Sequence, residues 1–149
     1  MAEYLAVAPV QVALNNGIPF TASIPCPKGY VYHEDETNTF ILRGVTSNCF
    51  ARYQVDYNGN VAIPTGGDIT PIGIAIAVNG ETRPSSLAIV TPQAVEEYSN
   101  LTSTAIITVP KGCCFSLSVR YVSGVTDGTT TPTPTVEVAN SNLRITRIA

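Results

Sequence analysis

The sequence predicts an all-β protein, an antiparallel β-sandwich of the jelly-roll kind. Three observations predict it. Alternating or wholly apolar runs of roughly five to nine residues recur along the chain. Gly and Pro, 11 of each, punctuate those runs. Strand–helix alternation, which a parallel α/β sheet needs, is missing. A barrel is the alternative closure for the same strands. At 149 residues the chain suits one domain, predicted to span 1–149.

The first strand is read at Val7–Leu14, followed by Gly29–His33, Thr39–Gly44 and Cys49–Tyr57. The remaining strands are Ile72–Val78, Thr104–Val109, Phe115–Val122, Thr135–Val138 and Asn142–Ile148. Asn58-Gly59 and Asn79-Gly80 stand where hairpins should turn, because both residue types reach positive φ at low cost. Asn16-Gly17 is read the same way. Thr91 and Pro92 suit the start of a short helix over 92–98. Residues 122–135, rich in Thr, Pro and Gly, read as an exposed, mobile loop.

Composition narrows the function. Charged residues make up only 13% of the chain, and Lys+Arg 8 against Asp+Glu 11 leaves a net charge of −3. The basic residues are scattered singly, so no nucleic-acid contact is expected. No apolar run approaches a membrane span, and no membrane contact is expected. The opening MAEYLAVAPVQV has no basic n-region and does not read as a secretory signal.

The run IGIAIAV is apolar on both strand faces. Ile72, Ile74, Ile76 and Val78 point one way; Gly73, Ala75 and Ala77 point the other. Such a strand needs a core on one face and a further cover on the other, for which another copy of the chain is the simplest candidate. A loop-covered face lined by small residues is the alternative.

Chemistry-bearing residues are sparse. The one histidine, His33, precedes Glu34, Asp35 and Glu36. Adjacent residues on an extended chain face opposite ways, so HEDE reads as a solvated turn rather than a metal or general-base site. Cys26, Cys49, Cys113 and Cys114 lack metal-ligand spacing and read as reduced, half-buried thiols. A disulfide from Cys26 to Cys49, Cys113 or Cys114 stays open. No nucleophile elbow or phosphate-binding glycine run occurs, and Gly66-Gly67 reads as a turn. Asn100-Leu101-Thr102 is a formal glycosylation sequon. The 7 tyrosines suit either a binding surface or ordinary packing; Tyr53 and Tyr57 share one strand face with Val55. No catalytic residue, cofactor or metal is assigned, and an enzyme is not expected.

From Phe50 onward the chain resembles the trimeric C1q/TNF-like jelly rolls, especially bacterial and phage versions. The matching stretches are FARYQVDYNGNVAIP, IGIAIAVNGETRPSS, STAIITVPKGCCFSLSVRYVSG and VEVANSNLRITRI, with VAPVQVALNNGIPF similar to the family's first strand. The chain is also similar to small structural proteins of phages and prophages. Lys111-Gly112-Cys113 departs from the Gly-Asp often found in that turn, and no Gly-X-Y stalk precedes the domain. The resemblance implies a homotrimer built around a threefold axis, with Ile72, Ile74, Ile76, Val78, Leu143 and Ile145 near its centre. It implies a virion component, a capsid decoration or head-fibre protein made in the host cytoplasm, whose partners are the major capsid protein or other virion proteins. A receptor- or glycan-binding adhesin, acting on a host surface glycan, is the alternative.

Overall fold

A computed structural model describes residues 2–24, 30–34, 36–125 and 131–148. In chain order the early strands are β1 (Ala2–Ala6), β2 (Val10–Ala13), β3 (Ala22–Ile24), β4 (Val31–His33), β5 (Phe40–Arg43) and β6 (Phe50–Ala62). They are followed by β7 (Ile72–Val78), β8 (Glu81–Thr82), β9 (Ala88–Val90), β10 (Ser99–Pro110), β11 (Cys114–Ser123) and β12 (Thr135–Arg147). Two antiparallel sheets result. The first runs β10-β6-β12-β1-β3 with β2 continuing alongside β12; the second runs β4-β5-β11-β7-β8 with β9 also on β7. The sandwich expected from the alternation is the fold observed.

Inward residues of both sheets make one core. Tyr53, Val55, Tyr57, Ile107, Leu143 and Ile145 from the first sheet meet Leu42, Ile72, Ile74, Ile76 and Val119 from the second. Each fully buried aliphatic side chain of this kind contributes about 1.5–3 kcal/mol. Buried tyrosines need a partner for the hydroxyl. Tyr53 donates to the Arg43 carbonyl at 2.5 Å and Tyr121 to the Thr133 carbonyl at 2.6 Å, while Tyr57 lies 3.0 Å from Ser141 Oγ.

The two Asn-Gly pairs part company. Asn79 (φ 53°) and Gly80 (φ 84°) form the expected two-residue turn between β7 and β8, with Val78 opposite Glu81. Asn58-Gly59 instead lies inside β6, paired to β10 on one side and β12 on the other. Gly59 is there for space: a Cβ would stand 2.3 Å from the Tyr57 hydroxyl. At the third pair the turn slips back two residues, to Leu14-Asn15 with Asn15 at φ 67°. Beyond it Gly17 crosses to the second sheet and bridges Arg120.

No helix forms over 92–98. The segment is a turn in which Glu96 takes φ 64° and its N–H bonds the Ile63 carbonyl. A nucleus this short gains too few helical bonds to offset its ordering cost, and the tertiary bond wins. The two predicted closing strands are one, β12, interrupted by a bulge between Ala139 and Asn142. Asn140 takes φ 53°, and the inward set passes from Val136 and Val138 to Ser141, Leu143 and Ile145. One extra residue has reversed the facing of the strand. β1, β3, β8 and β9 fall outside the strands that the sequence predicts. Of the loop read over 122–135, residues 126–130 lie outside the described residues, and β11 runs through Ser123.

Candidate interaction surfaces

The six residues expected at a trimer centre are inside the protomer. Ile72, Ile74, Ile76 and Leu143 are 0% exposed, Ile145 2% and Val78 7%. They belong to the core between the two sheets and have no surface to offer a partner. The opposite face of β7 is also closed within one chain. Arg120 lies opposite Ala75; its Nε donates to Ser118 Oγ at 3.1 Å and its NH1 reaches the Gly80 carbonyl. The aliphatic stem therefore runs over Ala75 and Ala77. At Gly73 a Cβ would meet the Val122 carbonyl at 2.9 Å and Leu87 Cδ1 at 3.1 Å. Small residues and one arginine bury β7 on both sides, which is the loop-covered alternative, and β7 gives no reason to invoke a second copy.

One apolar surface that stays open lies beside β7. Leu87 and Ile89, on and before β9, are 39% and 45% exposed, and Ile106 on the neighbouring edge strand β10 is 55% exposed. The two edges are tied together here. Ser86 Oγ accepts the Ile76 N–H at 2.9 Å, and Ser103 Oγ donates to the Ser86 carbonyl. The edges are thus held together, but Ile106 points out from the first sheet while Leu87 and Ile89 point out from the second, so the open apolar flank is the Leu87–Ile89 side.

A second surface is polar. On the outer face of the first sheet a shallow cavity of about 470 Å³ is lined by Asp56, Asn58, Thr102, Asn142 and Arg144, with Tyr57 at its floor. Arg144 stands between Asp56 on β6 and Glu3 on β1. Asn142 Nδ2 donates to Glu3 Oε1 at 2.5 Å. Asn100, the sequon residue, donates to Asn58 Oδ1 at 2.8 Å and to Asn60 Oδ1 at 3.2 Å.

The remaining candidates are dispersed. His33 stacks on Phe40 with ring centres 4.1 Å apart, and its Nε2 lies 2.9 Å from the Thr37 carbonyl oxygen. Glu34 and Glu36 are exposed, and Asp35 lies outside the described residues. Among the described residues no His, Cys, Asp and Glu side chains group to hold a metal ion. Cys49, Cys113 and Cys114 carry free thiols and are exposed, not half-buried, because they cap strand ends. Cys26 and its pairing lie outside the described residues. Tyr4, Tyr53, Tyr57 and Tyr121 are core residues, whereas Tyr32 and Tyr98 are exposed. Burial pushes the Tyr57 hydroxyl up to about 12, against a partial opposing effect of its Ser141 hydrogen bond; burial does the same at Tyr121, also to about 12. Tyr98 is raised by burial and then by the Glu137 and Glu96 carboxylates.

No family model matches the chain, and no curated protein matches it in sequence. Among solved structures, the globular domain of zebrafish complement 1qA protein is similar with a TM-score of 0.56 and 10% identity, over 96% of this chain and 94% of that one. The chain therefore has the fold of a C1q globular domain, an antiparallel jelly-roll sandwich. Two further likenesses are too distant to show a shared fold. The C-terminal domain of EclA, a sugar-binding protein, gives a TM-score of 0.43 at 15% identity over 95% of this chain and 79% of that one. The CBM22-1 xylan-binding domain of Paenibacillus barcinonensis Xyn10C gives 0.34 at 14% identity, over 97% and 99%.

Proposed function

We propose that this chain is a structural protein of a phage virion, a homotrimeric capsid decoration or head-fibre protein that binds capsid subunits and displays its loops. It works by shape and burial. The observation that carries the proposal is the exposed Leu87–Ile89 flank of the second sheet, which gives a jelly roll with 13% charged residues an apolar edge to cover. That edge replaces β7 as the lateral contact between copies. The resemblance of the sequence to phage structural proteins supports reading the trimer as part of a particle assembled in the host cytoplasm. Incubation of the pure protein with capsids of its own phage, followed by sedimentation, tests this. Saturable co-sedimentation at a fixed ratio to the major capsid protein is expected; a protein left wholly in the supernatant refutes the role.

A receptor- or glycan-binding adhesin is the second reading, favoured by the polar cavity on the first sheet. Planar amide, carboxylate and guanidinium groups such as Asn58, Asp56 and Arg144 suit vicinal hydroxyls. Glycan-array hits abolished by Arg144→Ala would establish it, and an empty array with intact capsid binding would exclude it.

A further inference from the structure

The scarce charges are sorted along the strand axis. Arg43, Arg52, Lys111 and Arg147 all sit at one end of the sandwich. Arg43 pairs with Cys114 where β11 begins, Lys111 lies in the β10–β11 turn with its N–H on the Cys49 carbonyl, and Arg147 donates to the Val45 carbonyl. Arg52 stacks over the Phe50 ring and Arg147 over Tyr30. Residues 39–55, 106–118 and 145–148, which build this end, contain no Asp or Glu. Glu81 on the β7–β8 hairpin is the acidic exception near this end, with Arg83 two residues on.

The other end carries the opposite charge. Glu137 lies opposite Ala62 and Gln11; Glu96, bonded by Thr65 Oγ1, and Glu97 lie in the turn before β10; Asp68 shares a groove with Thr65 and Gln11. Glu36 shares another groove with Gln11. Residues 61–71, 91–99 and 131–139 contain no Lys or Arg. The two ends lie at opposite termini of β6, whose 13 residues span about 40 Å. Both carry exposed apolar side chains: Val45, Phe50 and Ile148 at the basic end, Ile69, Val95 and Tyr98 at the acidic end.

We propose that the basic end is a docking surface for the acidic end of a second copy, so that protomers, or trimers of them, associate head to tail. Charge complementarity on one molecule is the ground for choosing a second copy as the occupant, and apolar side chains at both ends supply area to bury. A head-to-tail contact between unlike surfaces does not close on itself and can extend. It differs from the lateral contact in depending on salt, because exposed charges are screened at high ionic strength.

Analytical ultracentrifugation at about 20 mM and about 500 mM salt tests this, since screening differs strongly between the two. Low salt is expected to raise the mean mass at least about twofold over the high-salt value, as head-to-tail pairing requires. Arg52→Glu with Lys111→Glu makes both ends acidic; Asp68→Lys with Glu97→Lys makes both basic. Each double variant alone should keep the high-salt mass at low salt, and an equal mixture should regain the larger mass. All four side chains are exposed, and near-ultraviolet dichroism of the tyrosines checks each fold; the milder Arg52→Gln and Glu97→Gln replace any variant that unfolds. A wild-type mass independent of salt, persistent growth in either variant alone, or a mixture that stays small would each overturn the proposal. Loss of the lateral trimer would show separately, as a monomeric mass at high salt.

Discussion

β7 and the flank beside it are both apolar, and they do different work. β7 spends its hydrophobicity inside the protomer: its large residues fill the core and its small ones lie under Arg120 and Leu87. Leu87, Ile89 and Ile106 contribute little to that core and stay open. Apolar character on two strand faces is therefore not by itself a sign of association, because Gly and Ala need so little cover. Exposed area at a rigid edge is the better sign.

The sharpest way to break this contrast is to cut into β7. Ile74→Ala should cost about 2–5 kcal/mol of protomer stability, by lost transfer energy and the cavity left behind. Denaturant unfolding should give the same loss at high salt across protein concentrations if the residue acts within one chain. Alkaline pH acts on the same core. The folded chain holds the Tyr57 proton up to about 12, whereas an unfolded tyrosine releases it near 10. Stability is thus full below about pH 10 and falls as pH rises towards 12, by about 3 kcal/mol from Tyr57 alone. Tyr57→Phe should flatten that part of the profile.

Gly59→Ala sharpens the contrast at the centre of the first sheet. Its Cβ would collide with the Tyr57 hydroxyl, and overpacking of this kind costs about 1–3 kcal/mol. The cost should shrink in a Tyr57→Phe background, which a double-mutant cycle measures. Asn79→Ala should cost about 1–2 kcal/mol, since alanine resists the positive φ of the turn. Smallest for the protomer is the flank: Leu87→Asp with Ile89→Asp should change protomer stability by less than about 1 kcal/mol yet abolish lateral association in a sizing column with light scattering.

Much of the fold was legible because its signals are local. The bounds of β7 follow from an unbroken apolar run ending at Asn79-Gly80. The same dipeptide at Asn58-Gly59 misleads because the deciding contact is Tyr57 with Ser141, far along the chain. The helix over 92–98 fails for a like reason, its Glu96 N–H being taken by Ile63. Spacing alone does not tell which face of β7 meets the second layer: Ile72, Ile74, Ile76 and Val78, with Leu143 and Ile145 from the first sheet, fill the core, and the small-residue face is closed by Arg120 and Leu87. The charge sorting was invisible in sequence, where the basic residues are scattered; folding collects them.

The most direct test of the central claim is the solution mass of the wild-type chain at high salt, where end-to-end contacts are screened. Three copies of the 15.7 kDa chain, reduced to one by Leu87→Asp with Ile89→Asp, are expected. A wild-type protein that stays at 15.7 kDa across the micromolar range, or a trimer untouched by those substitutions, would contradict it.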